Sequence, residues 1–219
     1  MKFKVNVVVF DFDGVIIDSG ADIASAAQDT LKVFNRPVLS KDEIISYVGH
    51  GAEVLIRKCF KDCSEEVIEQ AIPFYKKYYL DNALIETKLY PNVKETLKVI
   101  KEDNEDKKIA LVTNKPEEIT KKILAGLGIR QYFDLIMGPE SVKKIKPDPE
   151  GIRKVLDTFG IAAEKAIMVG DSYVDVEAGR NAGTNTCGVT YGLGNKEDLI
   201  KAAPDFYISD MSQLLEHIE

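Results

Sequence analysis

The feature that most constrains this chain is the run Val5-Asn6-Val7-Val8-Val9-Phe10, which stops at Asp11 and Asp13. A nearly continuous β-branched stretch has no polar face to turn to water. It reads as a strand covered on both sides, in the middle of a parallel sheet. Segments 109–112, 133–137, 166–169 and 186–189 share that character, and 206–208 is a weaker version. Helical stretches separate them. Pro116 with Glu117 and Glu118 makes a first turn that stops near Gly126 or Gly128, and Pro149 opens a helix that ends near Gly160. This alternation, from about residue 90 onward, predicts an α/β fold with a doubly wound, Rossmann-like parallel sheet.

Residues 20–83 break the rhythm. Ile23, Ala26, Ala27, Thr30, Leu31 and Phe34 recur at helical spacing. Ser40 and Glu43 read as a capping box before Ile44, Ile45 and Val48, with Gly49 as the stop. Val67, Ile68, Ala71, Phe74, Tyr75 and Tyr78 form another helical pattern, which Pro73 should kink or divide. The tyrosines from Tyr75 to Tyr79 read as packing. No strand-like run occurs here, so an all-helical cap subdomain over 18–84 is expected, inserted into a core of 1–17 and 85–219. A length of 219 residues suits one main domain with such an insertion.

Charge and cysteine usage narrow the function classes. Acidic residues outnumber basic ones 36 to 29 for a net charge of −7, the opposite of the bias that grips a nucleic-acid backbone. Cys59, Cys63 and Cys187 contain no C-x-x-C pair, which suits reduced thiols and a cytoplasmic protein. Cys59 and Cys63, spaced i, i+4, read as buried thiols on one helix face. The apolar run after Lys2 and Lys4 ends at Asp11, too early for a signal core, and no stretch approaches the roughly 20 apolar residues of a membrane span.

In parallel α/β sheets, ligands bind beyond the carboxyl ends of the strands. The first strand delivers Asp11 and Asp13 there, the second Thr113 and Asn114, and the fourth Gly170, Asp171 and Ser172, with Asp175 one helical turn later. Lys146 arrives from the loop before Pro149. Residues i and i+2 on a strand point the same way, so Asp11 and Asp13 can share a cleft while Phe12 enters the core. Converging carboxylates repel one another unless a cation sits among them, and oxygen-only ligands favour Mg²⁺ over zinc. A hard cation beside a lysine and a hydroxyl is a site for a phosphoryl group. Gly49-His50-Gly51 ahead of a helix, with Arg57 and Lys58 on it, could hold a further negative charge. His50 alone reads either as an exposed loop residue or as a substrate contact. Asp18 and Ser19 either cap the first inserted helix or act at its hinge.

The segments DFDGVIIDS from Asp11, TN at Thr113, KPDP from Lys146 and GDSYVDVEAGRNAG from Gly170 resemble, in order, the four signatures of the haloacid dehalogenase-like superfamily. VGHGAEVL from Val48, TNKP from Thr113 and VTYG from Val189 are similar to its phosphoglycolate phosphatase-like branch. The resemblance implies a Mg²⁺-dependent phosphatase acting on a small phosphorylated metabolite, 2-phosphoglycolate being the named guess. It implies Asp11 as the nucleophile that forms an aspartyl-phosphate, Asp13 as general acid and base, and Thr113 and Lys146 as holders of the transferring oxygens. Asn114 falls in the same phosphate-binding signature. Metal ligands would be Asp171, the Asp11 carboxylate and the Asp13 backbone carbonyl, with Asp175 in support. Asp13 favours phosphoryl chemistry over dehalogenation, because a departing halide needs no proton. Two other readings remain at this level: a mutase similar to β-phosphoglucomutase, and a receiver-like signalling module that accepts phosphate on aspartate. Either a monomer or a homodimer is compatible.

Overall fold

The computed structural model describes residues 2–102 and 107–219. The chain opens with β1 (Val7–Phe10) and a two-residue strand β2 (Ile17–Asp18). Four helices follow: α1 (Gly20–Val33), α2 (Lys41–Ile45), α3 (Ala52–Cys59) and α4 (Glu65–Asn82). Strand β3 (Lys88–Leu89) then leads into α5 (Val93–Glu102), β4 (Lys108–Val112), α6 (Glu117–Gly126) and β5 (Leu135–Met137). The remainder is α7 (Glu150–Phe159), β6 (Ala166–Gly170), α8 (Tyr173–Ala182), β7 (Asn185–Val189), α9 (Lys196–Ala202), β8 (Phe206–Ile208) and α10 (Leu214–His217).

Six of these strands make one parallel sheet in the order β5-β4-β1-β6-β7-β8. The chain builds outward from β1 to β5, then returns to lay β6 on the other side of β1. That reversal opens a crevice beyond the carboxyl end of β1, where doubly wound sheets bind their ligands. The alternation of the strands explains why their sequences are apolar throughout. Val8, Phe10, Ile109, Leu111, Ile167 and Val169 belong to one core layer, shared with α5 and α6. Val7, Val9, Ala110, Val112, Ala166 and Met168 belong to the other, against Ile152, Val155 and Leu156 of α7. Each face is covered there, so every position along the central strands β1 and β6 is buried.

The helices end as their sequences direct. Gly160 takes the left-handed conformation after α7, and Ser172 and Asp175 form a reciprocal capping box at the start of α8. Helix α2 has half of its expected box: the Ser40 hydroxyl accepts from Glu43 N at 3.1 Å, while the Glu43 carboxylate turns to the Tyr47 hydroxyl. It also ends at Ile45, ahead of Gly49. Three further expectations are corrected. Pro73 does not divide α4, since both Pro73 and Glu69, whose carbonyl it leaves unpaired, are exposed and water can satisfy that carbonyl. Cys63 does not share a helix face with Cys59, because α3 ends at Cys59 and Cys63 lies in the following turn, half-buried. The first strand starts at Val7 rather than Val5.

Helices α1 to α4 leave and rejoin the sheet at one point. Ile17 and Asp18 pair antiparallel with Leu89 and Lys88. The buried Asp22 carboxylate on α1 reinforces the junction by accepting from the backbone N–H groups of Ile85, Glu86 and Thr87 and from the Thr87 hydroxyl. Among the described residues, no helix is long and apolar enough to cross a membrane.

Candidate active site

Asp11 follows the last residue of β1 and keeps its backbone N–H in the sheet by donating to Val169 O at 3.0 Å. Phe12 is fully buried, so Asp11 and Asp13 turn together toward the crevice. Asp171 follows β6, and Asp175 sits in the first turn of α8. One carboxylate oxygen from each of Asp11, Asp171 and Asp175 lies within 4.8 Å of the others, and all three residues are buried. Lys146 reaches in from the loop before α7, with Nζ 2.7 Å from Asp11 Oδ1 and 2.7 Å from Asp175 Oδ1.

The other oxygens of this cluster are held by the protein. Asp171 Oδ2 accepts from Leu193 N at 2.7 Å and Gly194 N at 2.8 Å. Asp175 Oδ2 accepts from the Ser172 hydroxyl at 2.6 Å through the α8 capping box. Asp11 Oδ1 faces the Lys146 ammonium at 2.7 Å.

One lysine does not balance three buried carboxylates. Burial pushes the Asp11 carboxyl up to about 6, Asp175 and Asp13 add repulsion, and Lys146 offsets only part of this. Asp171 is held well above the usual carboxylate range by burial and then by Asp175 and Asp11. Burial works against the Lys146 charge, but Asp11 and Asp175 more than compensate and raise its proton affinity. A buried, all-oxygen, over-negative cluster fits a hard divalent cation such as Mg²⁺.

A cavity adjoins the cluster, lined by Asp11, Asp13 and Thr113 at its base. Thr113 follows the last residue of β4, buried, with its N–H on Met137 O at 3.0 Å. Ile23, Val48, Leu55, Tyr75 and Tyr79 from the inserted helices form the opposite wall. The Asp13 carboxylate stands apart from the acidic cluster and accepts from the Ser19 hydroxyl at 2.5 Å and from Lys115 Nζ at 2.9 Å. The Asp13 carboxylate is thus not among the oxygens gathered by Asp11, Asp171 and Asp175. Ser19 precedes α1 without capping it through its side chain, and its hydroxyl serves Asp13 instead.

The remaining expected residues divide. Asn114 is buried beside Thr113, but its amide is taken by the protein. Nδ2 donates to Gly49 O at 2.9 Å and Lys146 O at 3.0 Å, and Oδ1 accepts from Lys146 N at 3.1 Å. Gly49 and Gly51 line the cavity through backbone with φ of 108° and 87°. His50 points to α8, its Nε2 3.4 Å from the Tyr173 hydroxyl, and burial followed by Lys58 lowers its proton affinity. Arg57 is not brought to the cavity. It sits on the outer side of α3, bound to Glu65 and Glu53. Lys58 stacks over the Tyr47 ring.

Two features escaped the sequence reading. Lys115 and Tyr79 meet inside the cavity, with Nζ 4.3 Å above the Tyr79 ring centroid and hydrogen-bonded to its hydroxyl. The lysine is visible within TNKP at a strand end, as the residue that directly follows Thr113-Asn114. Nothing in local spacing links it to a tyrosine on α4.

Residues 8–189 match the family model described as haloacid dehalogenase-like hydrolase. The chain is 39% identical over 210 residues to a phosphoglycolate phosphatase of Aquifex aeolicus, covering 96% of this chain and 95% of that protein. Its identity to a phosphoglycolate phosphatase of Vibrio cholerae is 34%, over 97% and 96% of the two chains. A crystal structure described as a predicted phosphoglycolate phosphatase from Haemophilus somnus superposes with a TM-score of 0.92 at 30% identity, covering 97% of each chain. The chain belongs to the haloacid dehalogenase-like hydrolases. Its chemistry within that family is that of a phosphoric monoester hydrolase.

Proposed function

We propose that this hydrolase is a Mg²⁺-dependent phosphatase that cleaves a small phosphate monoester, 2-phosphoglycolate, through an aspartyl-phosphate on Asp11. The observation that carries the reading is the meeting of Asp11, Asp13, Lys146 and the acidic cluster beside one small cavity. The substrate follows the name shared by the Aquifex aeolicus and Vibrio cholerae relatives, which also favours hydrolysis over the mutase reading.

In the first step an Asp11 carboxylate oxygen attacks phosphorus, the bond from phosphorus to the ester oxygen breaks, and Asp13 gives its proton to the departing alkoxide. In the second, Asp13 takes a proton from a water that attacks the same phosphorus, which releases phosphate and restores the Asp11 carboxylate. Lys146 and Thr113 hold the non-bridging oxygens, and Lys146 keeps Asp11 ionised for attack. A cation held by Asp11, Asp171 and Asp175 would supply positive charge to the transferring phosphoryl group. Residues 18–84 act as the cap over a core of 1–17 and 85–219, excluding water from the first step. The reduced cysteines suit a cytoplasmic setting.

The test is phosphate release from a panel of 2-phosphoglycolate, sugar phosphates, nucleotides and pyrophosphate, with and without Mg²⁺. Release from 2-phosphoglycolate that needs Mg²⁺ and disappears in Asp11→Asn is the expected result. Undiminished release by Asp11→Asn would remove the nucleophile, and preference for another ester would remove only the substrate.

A further inference from the structure

Among the described residues that line the cavity, Lys115 is the one cation. It is buried, and its Nζ donates to Asp13 at 2.9 and 3.2 Å and to the Tyr79 hydroxyl. A buried ammonium carries a large desolvation cost, and the phosphoryl chemistry already has a lysine in Lys146. Lys115 reaches past the acidic cluster's own lysine to Asp13 and to Tyr79 on α4, at the wall made by the inserted helices.

We infer that Lys115 is a specificity-determining residue that recognises a carboxylate on the substrate, one carbon beyond the ester oxygen. This rests on the phosphatase reading and adds the chemical class of the alcohol. To protonate the leaving oxygen, Asp13 must come within hydrogen-bond reach of it, and Lys115 is itself in such reach of both Asp13 oxygens. A group joined to the leaving oxygen through one methylene therefore falls beside Lys115. The wall around that point is apolar at Ile23, Val48 and Leu55, which leaves a polyhydroxylated alcohol without partners.

Exchange of partners makes the site selective. A bound carboxylate replaces one Asp13 contact on Lys115, so the buried ammonium stays neutralised while Asp13 is released toward the ester oxygen. A phosphate ester of the same shape with an uncharged group in place of the carboxylate leaves the Lys115–Asp13 pair closed. The Tyr79 hydroxyl holds Lys115 in place in both states, and the Ser19 hydroxyl holds Asp13.

The test compares 2-phosphoglycolate with its amide, which keeps the phosphate and nearly the same shape but lacks the carboxylate charge, on the intact enzyme with Mg²⁺. The acid should exceed the amide in kcat/KM by about 100-fold or more, the scale of losing one charge-assisted contact in a closed site. Lys115→Met should bring that ratio close to one. Equal turnover of acid and amide by the wild type overturns the inference without any variant. A variant that loses activity on both alike, with the ratio intact, overturns it in favour of a role on Asp13 alone. Absence of release from every ester by the wild type instead sinks the phosphatase reading, and this inference with it.

Discussion

Asn114 Nδ2 donates to the Gly49 carbonyl at 2.9 Å and so ties the loop between α2 and α3 to the end of β4. The same amide fixes the backbone of Lys146 through its N–H and its carbonyl. One buried side chain thus places both the glycine wall of the cavity and the lysine that faces Asp11. Asn114→Ala removes three hydrogen bonds and strands two carbonyls and one N–H. A stability loss of about 2–4 kcal/mol is expected, with kcat falling more than KM rises because Lys146 loses its anchor. Chemical denaturation and steady-state kinetics on the variant check both parts. A variant with wild-type kcat would show that Lys146 is positioned without this clasp.

The charge on Asp11 makes metal-free stability depend on pH. Its folded pKa, about 6 against an ordinary 3.8, means the folded chain binds that proton more tightly than the unfolded one. Stability from this group is therefore present at low pH and lost as pH rises through 6. Asp11→Asn should stabilise the metal-free protein by about 1–3 kcal/mol at pH 7.5 and by much less at pH 4.5, while abolishing turnover. Melting curves in chelator at the two pH values decide it.

Mg²⁺ bound by the folded acidic cluster and not by the unfolded chain should raise stability by about 2.7 kcal/mol at a hundredfold excess over its dissociation constant. Asp171→Asn should lose most of that increment, since Asp171 Oδ2 is already committed to Leu193 and Gly194 and only its other oxygen is available. An unchanged Tm on adding Mg²⁺ to the wild type would count against the cluster as a metal site.

Gly14 has a φ of 82°, and a Cβ there would lie 1.9 Å from Asp171 Oδ2. Gly14→Ala should cost about 1–3 kcal/mol in backbone strain and displace the Asp171 carboxylate. Metal affinity measured by titration calorimetry should fall with it. Retained affinity would mean that Asp171 can shift without cost.

Much of this arrangement is legible in the sequence because it depends on strand ends. A buried parallel strand announces itself by composition, and the residue after it must face the crevice, which is how Asp11, Thr113 and Asp171 were found. Contacts made across the inserted helices carry no such signal. Tyr79 and Lys115 are 36 positions apart and meet only because α4 packs against α6, whose preceding loop carries Lys115. The helical period of α4 shows which residues are apolar, and it cannot separate a tyrosine facing the core from one facing a cavity. Arg57 failed for the converse reason. A cation near a glycine turn looks like an anion site until its own helix and the next supply Glu53 and Glu65. Asn114 was recognised by position, but the sequence cannot show that Gly49 and Lys146 arrive beside it and engage its amide.

The pairing of Ile17 with Leu89 has a consequence for how such an enzyme changes over generations. A segment whose two ends adjoin behaves like a cassette: it can be lengthened, shortened or exchanged while the strand order and the aspartates beneath it stay where they are. Inheritance of the reaction and inheritance of the wall that selects its substrate are thereby uncoupled. Lys115 is the exception. It selects from beneath, on the core side, so a transplanted cassette would have to bring its own partner for this ammonium in place of Tyr79.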